Sequence, residues 1–234
     1  MGFSLREGNF AGLLRIEIMI IAIDGPSASG KSTTAKGLAE KLGITHVDTG
    51  AMYRAVTLGL KLSGISLDDD TSVCQYLSGI ELYFDAKNKI HLNGVDVSHE
   101  IRSGDISSRV SAVSAIPEVR EKMVIIQRRI AGEQNCVLEG RDIGTVVFPN
   151  AEFKFFLIAN IDVRAKRRLI ELEKMGENKS ISELIEDIRR RDQLDSSRNH
   201  SPLIQAEDAI LIDTSQLTIN EQIKKIINHI NHNK

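Results

Sequence analysis

One stretch near the start of the chain restricts its fold more than any other. Residues 19–24 form an apolar, β-branched run of strand length, and Gly25-Pro26-Ser27-Ala28-Ser29-Gly30-Lys31-Ser32-Thr33 follows directly. Residues 33–42 then have the pattern of a helix. A buried strand, a turn with the spacing GxxxxGK[ST] and a helix N-terminus together predict a phosphate-binding loop, here called the P-loop (residues 25–33). The alternative is an ordinary glycine turn between a strand and a helix.

The residue types of the P-loop suit a nucleoside triphosphate. Glycine permits backbone angles that a Cβ would forbid, so that successive N–H groups converge on anionic oxygens. The first turn of the following helix adds unpaired N–H donors and the positive end of its dipole. Lys31 supplies a positive charge for the β- and γ-phosphates, and the Ser32 hydroxyl is predicted as a ligand of Mg²⁺. We therefore expect the chain to bind a nucleoside triphosphate.

The composition fits one α/β domain. A chain of 234 residues, 41% of them hydrophobic, can bury a full core and carry a smaller insertion. Its 30 basic and 32 acidic residues leave a net charge of −2, which gives no reason to expect nucleic acid or an anionic membrane as a partner. Cys74 and Cys136 are isolated, so we expect buried free thiols in a reducing compartment and hence a cytoplasmic protein. We also expect a monomer.

Residues 1–18 do not share the pattern of the remaining chain. Their N-terminus misses the myristoylation pattern because Arg6 stands where Ser or Thr is needed. The apolar stretch at residues 10–14 is too short for a signal sequence or a membrane span. We expect a loosely ordered leader and a domain that begins at Met19.

Strand patterns alternate with helix patterns over most of the chain, which predicts a three-layer α/β fold with a five-stranded parallel sheet and helices on both faces. Capping boxes at Ser180-x-x-Glu183 and Thr218-x-x-Glu221 open two of the helices. The strands are predicted at residues 19–24, 44–48, 135–139, 152–159 and 209–213, and further helices at residues 33–42, 50–62, 117–130 and 161–175.

Residues 80–97 differ from this alternation. Three short apolar runs, two of them joined by Asn93-Gly94, predict an antiparallel meander. Before this meander, Ser66 is followed by acidic residues and is predicted as the N-cap of a helix. We expect one domain (19–234) with a core of residues 19–63 and 119–234 and an insertion at about 64–118.

Three polar stretches follow predicted strands or lie on a predicted helix. Residues 48–54 have two interpretations: they hold a second phosphate near the first, or they are an ordinary helix N-terminus with a surface arginine. Residues 139–145 offer a carboxylate that orients Mg²⁺-bound water, or they form a tight turn. Residues 191–198 place positive, negative and positive charges on one helix face, a pattern that surface ion pairs also produce. The chain lacks Asn-Lys-x-Asp and Asp-x-x-Gly, which counts against a GTPase.

Together these stretches resemble the bacterial cytidylate kinase family of the nucleoside monophosphate kinases. The resemblance covers residues 19–213 and also includes Ile116-Pro117-Glu118-Val119-Arg120 and the continuation of the second stretch to Pro149. It implies a P-loop fold with a small, inserted β-containing monophosphate-binding subdomain and a helical lid at about residues 161–200. It also implies ATP and CMP or dCMP as substrates and Mg²⁺ as the cofactor that accompanies ATP.

The same resemblance implies roles for single residues. The whole P-loop would bind ATP, and Ser32 would bind the metal. Catalytic roles fall to Lys31, Arg141, Asp142 and Arg191. The residues implied in binding CMP are Thr49, Arg54, Ser111, Arg120, Arg141, Asp142, Arg191, Asp195 and Arg198, of which Ser111, Arg120 and Asp195 would read the cytosine. Thr49 stands where serine is expected. The lid arginine would be one of Arg164, Arg167 and Arg168.

The expected reaction is transfer of the γ-phosphoryl group from ATP to CMP or dCMP. Asp195 would accept a hydrogen bond from the cytosine amino group, whereas uracil would oppose it with a carbonyl oxygen. Two alternatives remain open from the sequence. One is a P-loop kinase for another small acceptor such as UMP or AMP, and the other is a non-catalytic ATP-dependent module.

Overall fold

The computed structural model describes residues 18–132 and 134–233. Its strands are β1 (Ile20–Asp24), β2 (Thr45–Asp48), β3 (Leu82–Phe84), β4 (Ile90–Leu92), β5 (Val95–Asp96), β6 (Cys136–Gly140), β7 (Phe153–Ile158) and β8 (Ile210–Asp213). Its α-helices are α1 (Lys31–Leu42), α2 (Thr49–Leu62), α3 (Asp70–Ser78), α4 (Gly104–Val113), α5 (Pro117–Ala131), α6 (Ile161–Lys174), α7 (Ile181–Ser196) and α8 (Ile219–His232). The expected leader lies outside the described residues, except for Ile18.

The larger sheet has the strand order β2-β6-β1-β7-β8, and its paired strands run parallel. The predicted five-stranded parallel sheet is therefore confirmed. Strands β1 and β6 are in register up to their last residues, so that Asp24 lies opposite Gly140. This register brings the P-loop, which follows β1, beside the segment that follows β6. Both segments thus leave the sheet at its carboxyl edge, where ligands bind in such folds.

Apolar side chains cover the sheet on both faces. On one face, Leu38 of α1 and Ile226 of α8 pack in a cluster with β1 residues such as Ile21. On the other face, a larger cluster includes Met52 of α2 and Met123 of α5. Because helices lie against both faces, the strands are apolar along most of their length, as the uninterrupted β1 pattern predicts.

A second, antiparallel sheet has the order β3-β4-β5. Asn93 and Gly94 have φ values of 49° and 82°, which is the left-handed backbone of a two-residue hairpin turn. The predicted meander is confirmed, whereas the boundaries of the insertion (64–118) stay a prediction.

Four local features of the structure differ from what the sequence predicted or were not predicted at all. Ser66 does not cap α3, because Asp69 is the N-cap and its side chain accepts a hydrogen bond from Ser72 N. The prediction of buried thiols is correct for Cys136 and wrong for Cys74, which is exposed on α3. Helix α4 was not predicted. A one-turn π-helix (Ile143–Val147) replaces the tight turn considered after β6.

Candidate active site

The P-loop backbone has the shape that its glycines predict. Gly25 has a φ of 145°, and a Cβ there would lie 2.1 Å from the carbonyl oxygen of Leu157 on β7. Ala28 and Gly30 are also left-handed, with φ values of 57° and 95°. Helix α1 begins at Lys31, and its N-cap, Gly30, has no side chain with which to cap it. The N–H groups of the first helical turn therefore remain available to an anion.

Lys31 folds back over the loop that carries it. Its Nζ donates to the carbonyl oxygen of Pro26 at 2.6 Å and lies 3.4 Å from Oγ of Ser29. The side chain is buried, and both burial and the nearby charge of Arg141 hold its pKa well below the usual value. An anion on the loop would raise the pKa of Lys31 again, since a nearby negative charge favours the protonated amine.

Ser32 has the geometry of a metal-binding hydroxyl. Its Oγ–H donates to Oε2 of Glu139, at the end of β6, over 2.6 Å. Because the hydrogen is directed to the carboxylate, the oxygen keeps its lone pairs for a cation. No group of three or more His, Cys, Asp or Glu side chains within residues 18–132 and 134–233 forms a metal site by itself. This donor set fits Mg²⁺, which binds through few protein ligands together with waters and substrate phosphates.

Arginines from four separate segments lie close to one another, and two of them, Arg141 and Arg191, also lie close to the P-loop lysine. We call Arg54 (α2), Arg141 (after β6), Arg168 (α6) and Arg191 (α7) the arginine cluster. Burial and then the charges of Arg141, Arg54 and Arg168 act to lower the pKa of Arg191, which is about 10. The buried Nε of Arg191 has no hydrogen-bond partner in the part of the chain that the structure describes. Arg141 and Arg191 also lower the pKa of Lys31. So many close positive charges indicate a site for a polyanion.

Asp195 lies beside the arginine cluster and is only 2% exposed. One of its oxygens accepts from Nε of Arg141 at 2.9 Å, and the other accepts from Arg198. Although burial acts to raise it, these two arginines hold the pKa of Asp195 below its usual value. An exposed surface ion pair is therefore excluded for this residue. Helix α7 ends at Ser196, so Arg198 lies beyond the helix that the charge pattern predicts.

A second buried ion pair joins Arg120 of α5 to Asp142. Arg120 also donates to the carbonyl oxygen of Ser114 at 3.1 Å, and its guanidinium carbon lies 5.4 Å from the ring centre of Tyr53. Arg198 reaches the same region through Oγ of Ser114, at 2.9 Å. Arg120, Asp142, Asp195 and Arg198 thus meet in one polar region next to the arginine cluster.

The remaining predicted acceptor-site residues line α2 and α4. Thr49 is buried, and its hydroxyl donates to the carbonyl oxygen of Glu139 at 2.6 Å. Arg54 donates to Asp48, which also caps α2 by accepting from Ala51 N. Ser111 lies half-buried on α4. The roles of Thr49, Arg54 and Ser111 in binding CMP stay predictions.

Comparison with known proteins decides the family. The family model for cytidylate kinase matches residues 21–232. A protein named cytidylate kinase from Caldanaerobacter subterraneus subsp. tengcongensis is 50% identical over 91% of this chain and 95% of its own length. A protein with the same name from Clostridioides difficile is 45% identical over 91% of this chain and 98% of its own length. The chain belongs to the cytidylate kinase family.

A solved structure of another protein is similar to this cytidylate kinase family member in fold only. An uncharacterized protein from Eubacterium ventriosum superposes with a TM-score of 0.51 at 16% identity, and the match covers 91% of this chain and 98% of the other. Within residues 18–132 and 134–233, no helix combines the length and the apolar character needed to cross a membrane.

The three α6 arginines of this kinase have different surroundings. Arg164 is buried and donates to the carbonyl oxygen of Ser27 in the P-loop at 3.2 Å and to Asp192 at 2.6 Å. Arg167 donates to the hydroxyl and the carbonyl oxygen of Thr214 at 3.0 and 2.8 Å. Arg168 pairs with Glu171 and contributes to the cluster around Arg191. Two of the candidates, Arg164 and Arg167, therefore lie beside the P-loop, and Arg168 lies beside Arg191 in the arginine cluster.

Sequence reasoning missed Asp24 as a residue of the kinase site. Asp24 ends β1, and its carboxylate accepts from the backbone N–H groups of Ile143 and Gly144 at 2.9 and 2.7 Å. Burial raises its pKa to about 6. Through these two hydrogen bonds, Asp24 holds the π-helix that follows Arg141 and Asp142 against β1. The available signal was a charged residue that ends an apolar strand immediately before the P-loop.

Proposed function

We propose that this protein is a cytidylate kinase that transfers the γ-phosphoryl group of ATP to CMP or dCMP, giving ADP and CDP or dCDP. The observation that carries the proposal is the convergence of Arg141 and Arg191 on Lys31. A single triphosphate on the P-loop does not need further arginines from separate helices, whereas a second phosphate in line with the first does. Membership of the family supports the same conclusion.

The P-loop is the proposed donor site. Its N–H groups would hold the β-phosphate, and Lys31 would exchange the Pro26 carbonyl for a phosphate oxygen. Ser32 would hold Mg²⁺, which when bound neutralises charge between the β- and γ-phosphates. Glu139 keeps the Ser32 hydroxyl oriented for that task. Arg164 and Arg167 lie on this side and would cover the loop.

The arginine cluster is the proposed site of phosphoryl transfer. Arg141 and Arg191 would neutralise the charge that develops on the equatorial oxygens as the group passes from one nucleotide to the other. The attacking CMP phosphate is already an anion, so a general base is not required. Thr49 and Arg54 would hold that phosphate, and Asp142 would orient Arg120 through their ion pair.

Ser111, Arg120, Asp195 and Arg198 form the proposed cytosine and sugar site. The two arginines on Asp195 keep it ionised, and a carboxylate has room to accept further hydrogen bonds. The amino group of cytosine can donate to it, but the carbonyl group of uracil cannot. Cytosine is therefore the preferred base.

We also propose that residues 64–118 and 161–200 move towards the core when both nucleotides bind, which would exclude water and limit wasteful ATP hydrolysis. A monomer in the cytoplasm suits two free cysteines and small-molecule substrates. Light scattering after size-exclusion chromatography tests the monomer.

A substrate panel tests the proposed activity. ADP formation is measured with ATP and Mg²⁺ and with CMP, dCMP, UMP or AMP as the acceptor. We expect the highest kcat/KM with CMP or dCMP. A higher value with UMP or AMP would make the protein a kinase for another acceptor. ATP binding without acceptor-dependent turnover would make it a non-catalytic module.

A further inference from the structure

Four side chains from separate parts of the chain form one line of hydrogen bonds. Nδ2 of Asn88 lies 3.3 Å from Nδ1 of His46, and Nε2 of His46 lies 3.1 Å from Oε1 of Glu139. The other oxygen of Glu139 accepts from Ser32 over 2.6 Å. This line, here called the His46 relay, connects the β3–β4 turn with the first turn of α1.

The direction of each bond follows from the chemistry of its ends. The amide nitrogen of Asn88 can only donate, so Nδ1 of His46 is the accepting, unprotonated nitrogen. The ring hydrogen is therefore on Nε2, which donates to Glu139. Each oxygen of Glu139 then has one donor, and its carboxylate is fixed in plane and in rotation. The Ser32 hydroxyl hydrogen is thereby directed away from the phosphate side.

The two ends of the relay differ in exposure. The side chains of His46 and Glu139 are only 11% and 5% exposed, whereas Asn88 is on the surface. The backbone nevertheless holds Asn88 in place. Its N–H donates to the carbonyl oxygen of Asp85 at 2.8 Å, and Oδ1 of Asp85 accepts from the backbone N–H groups of Lys87 and Lys89. The turn thus presents Asn88 to His46 from a defined position.

We propose that His46 is a positioning residue that orients Glu139 and, through it, the Ser32 hydroxyl, and that Asn88 selects the imidazole tautomer that does so. Residues that orient a metal ligand through a hydrogen bond typically change metal affinity or activity by 10–100-fold when they are replaced. Because Asn88 belongs to the segment proposed to close over the acceptor, the relay links the placement of that segment to the metal-facing serine. The inference rests on the proposed function.

The kinetic test uses His46→Phe, which keeps a planar ring and removes both nitrogens. We expect kcat to fall about tenfold and the Mg²⁺ concentration for half-maximal rate to rise by a similar factor. The KM for CMP should change by less than about twofold, because the relay does not touch the acceptor. His46→Gln restores an N–H donor towards Glu139 and should recover most of the lost rate.

The spectroscopic test uses ligand-free protein and does not depend on activity. The ¹⁵N shifts of the His46 ring should show an unprotonated Nδ1 and a protonated Nε2 in the wild type. Asn88→Gly removes the side chain and tolerates the left-handed backbone of this position (φ 57°), so the turn stays intact, and it should shift these signals towards a mixture of tautomers. Lys87→Ala, in the same turn but outside the relay, is the matched control and should leave both the shifts and the rate unchanged.

Each outcome decides the inference. A protonated Nδ1 in the wild type overturns it, and so does a wild-type kcat and Mg²⁺ requirement in a folded His46→Phe. If His46→Phe does not fold, unchanged ring shifts in Asn88→Gly overturn it. A wild type without CMP-dependent turnover would instead reject the proposed function, and the ring shifts would still decide whether Asn88 sets the tautomer.

Discussion

The P-loop and the arginine cluster offer positive charge to the same space, but they are built in opposite ways. The P-loop comprises consecutive residues and relies on backbone N–H groups and a helix end. The arginine cluster gathers guanidinium groups from α2, α6, α7 and the segment after β6. Local geometry therefore creates the first site, and packing of distant elements creates the second.

The two regions also differ in how their charges are compensated without ligand. Lys31 has a carbonyl partner at 2.6 Å, whereas Nε of Arg191 is buried without a partner in the described residues. A buried cation without a partner destabilises the fold unless an anion arrives. In both regions burial and neighbouring positive charge lower the pKa of a cation, Lys31 or Arg191, and a bound phosphate would offset this. The difference is that Lys31 has a hydrogen-bond partner, whereas Arg191 depends on an incoming anion for one.

The largest expected effect concerns the P-loop. Lys31→Ala should lower kcat/KM for CMP by at least about 10³-fold, since it removes a charge next to the transferring group. Steady-state assays measure this. Lys36→Ala, an exposed lysine on the same helix, should remain near the wild type. A Lys31→Ala enzyme with more than a tenth of the wild-type rate would mean that the P-loop is not the donor site.

Arg191→Ala tests the arginine cluster. We expect kcat to fall about 10²-fold. The free energy of unfolding of the ligand-free protein should not fall, because the removed charge is buried and repelled by its neighbours. Chemical denaturation measures the second quantity.

The neighbouring Arg190 provides the control, because its side chain is 71% exposed and pairs with Asp187 on the same helix. Arg190→Ala should keep the wild-type rate and stability. A clear loss of stability in Arg191→Ala would show that the Arg191 charge does not destabilise the ligand-free fold.

Asp24 lies where the two regions meet, and its titration should appear in the pH dependence of stability. Burial raises its pKa from 3.8 to about 6, so the folded protein holds a proton that the unfolded chain releases. The free energy of unfolding therefore falls as the pH rises through this interval. Asp24→Asn does not titrate, so its stability relative to the wild type should rise by about 2 kcal/mol between about pH 4 and pH 7. A constant difference across this range would contradict the shifted pKa.

Of the four substitutions, Asp195→Asn should have the smallest effect, and this effect concerns the choice between CMP and UMP. An amide can turn its N–H₂ group towards the uracil carbonyl, so the ratio of kcat/KM for CMP to that for UMP should fall about tenfold. Asp187→Asn, a less buried carboxylate on the same helix, should leave the ratio unchanged. An unchanged ratio in Asp195→Asn would remove Asp195 from base recognition.

Structural motifs formed by residues close together in the sequence could be predicted. The P-loop, the Asn93-Gly94 hairpin and the capping boxes of α7 and α8 depend on residues within a few positions of one another. The cap of α3 shows the limit, because Ser66 and Asp69 are both acceptable N-caps and only the structure selects Asp69. Helix α4 has few strong helix formers and is stabilised by packing of Ile106 and Val110 into the core.

The sequence by itself determined the P-loop, which is the proposed donor site, and the class of fold, because a strand, a glycine turn and a helix end specify their geometry through local backbone angles. Through a family resemblance, it also supplied the arginines and aspartates of the proposed acceptor site. Only the tertiary structure decided which of them meet, which charge stays without a partner, and that Asn88 reaches His46. The reason is physical: burial, ion pairing and desolvation depend on distances between segments that are far apart in the chain.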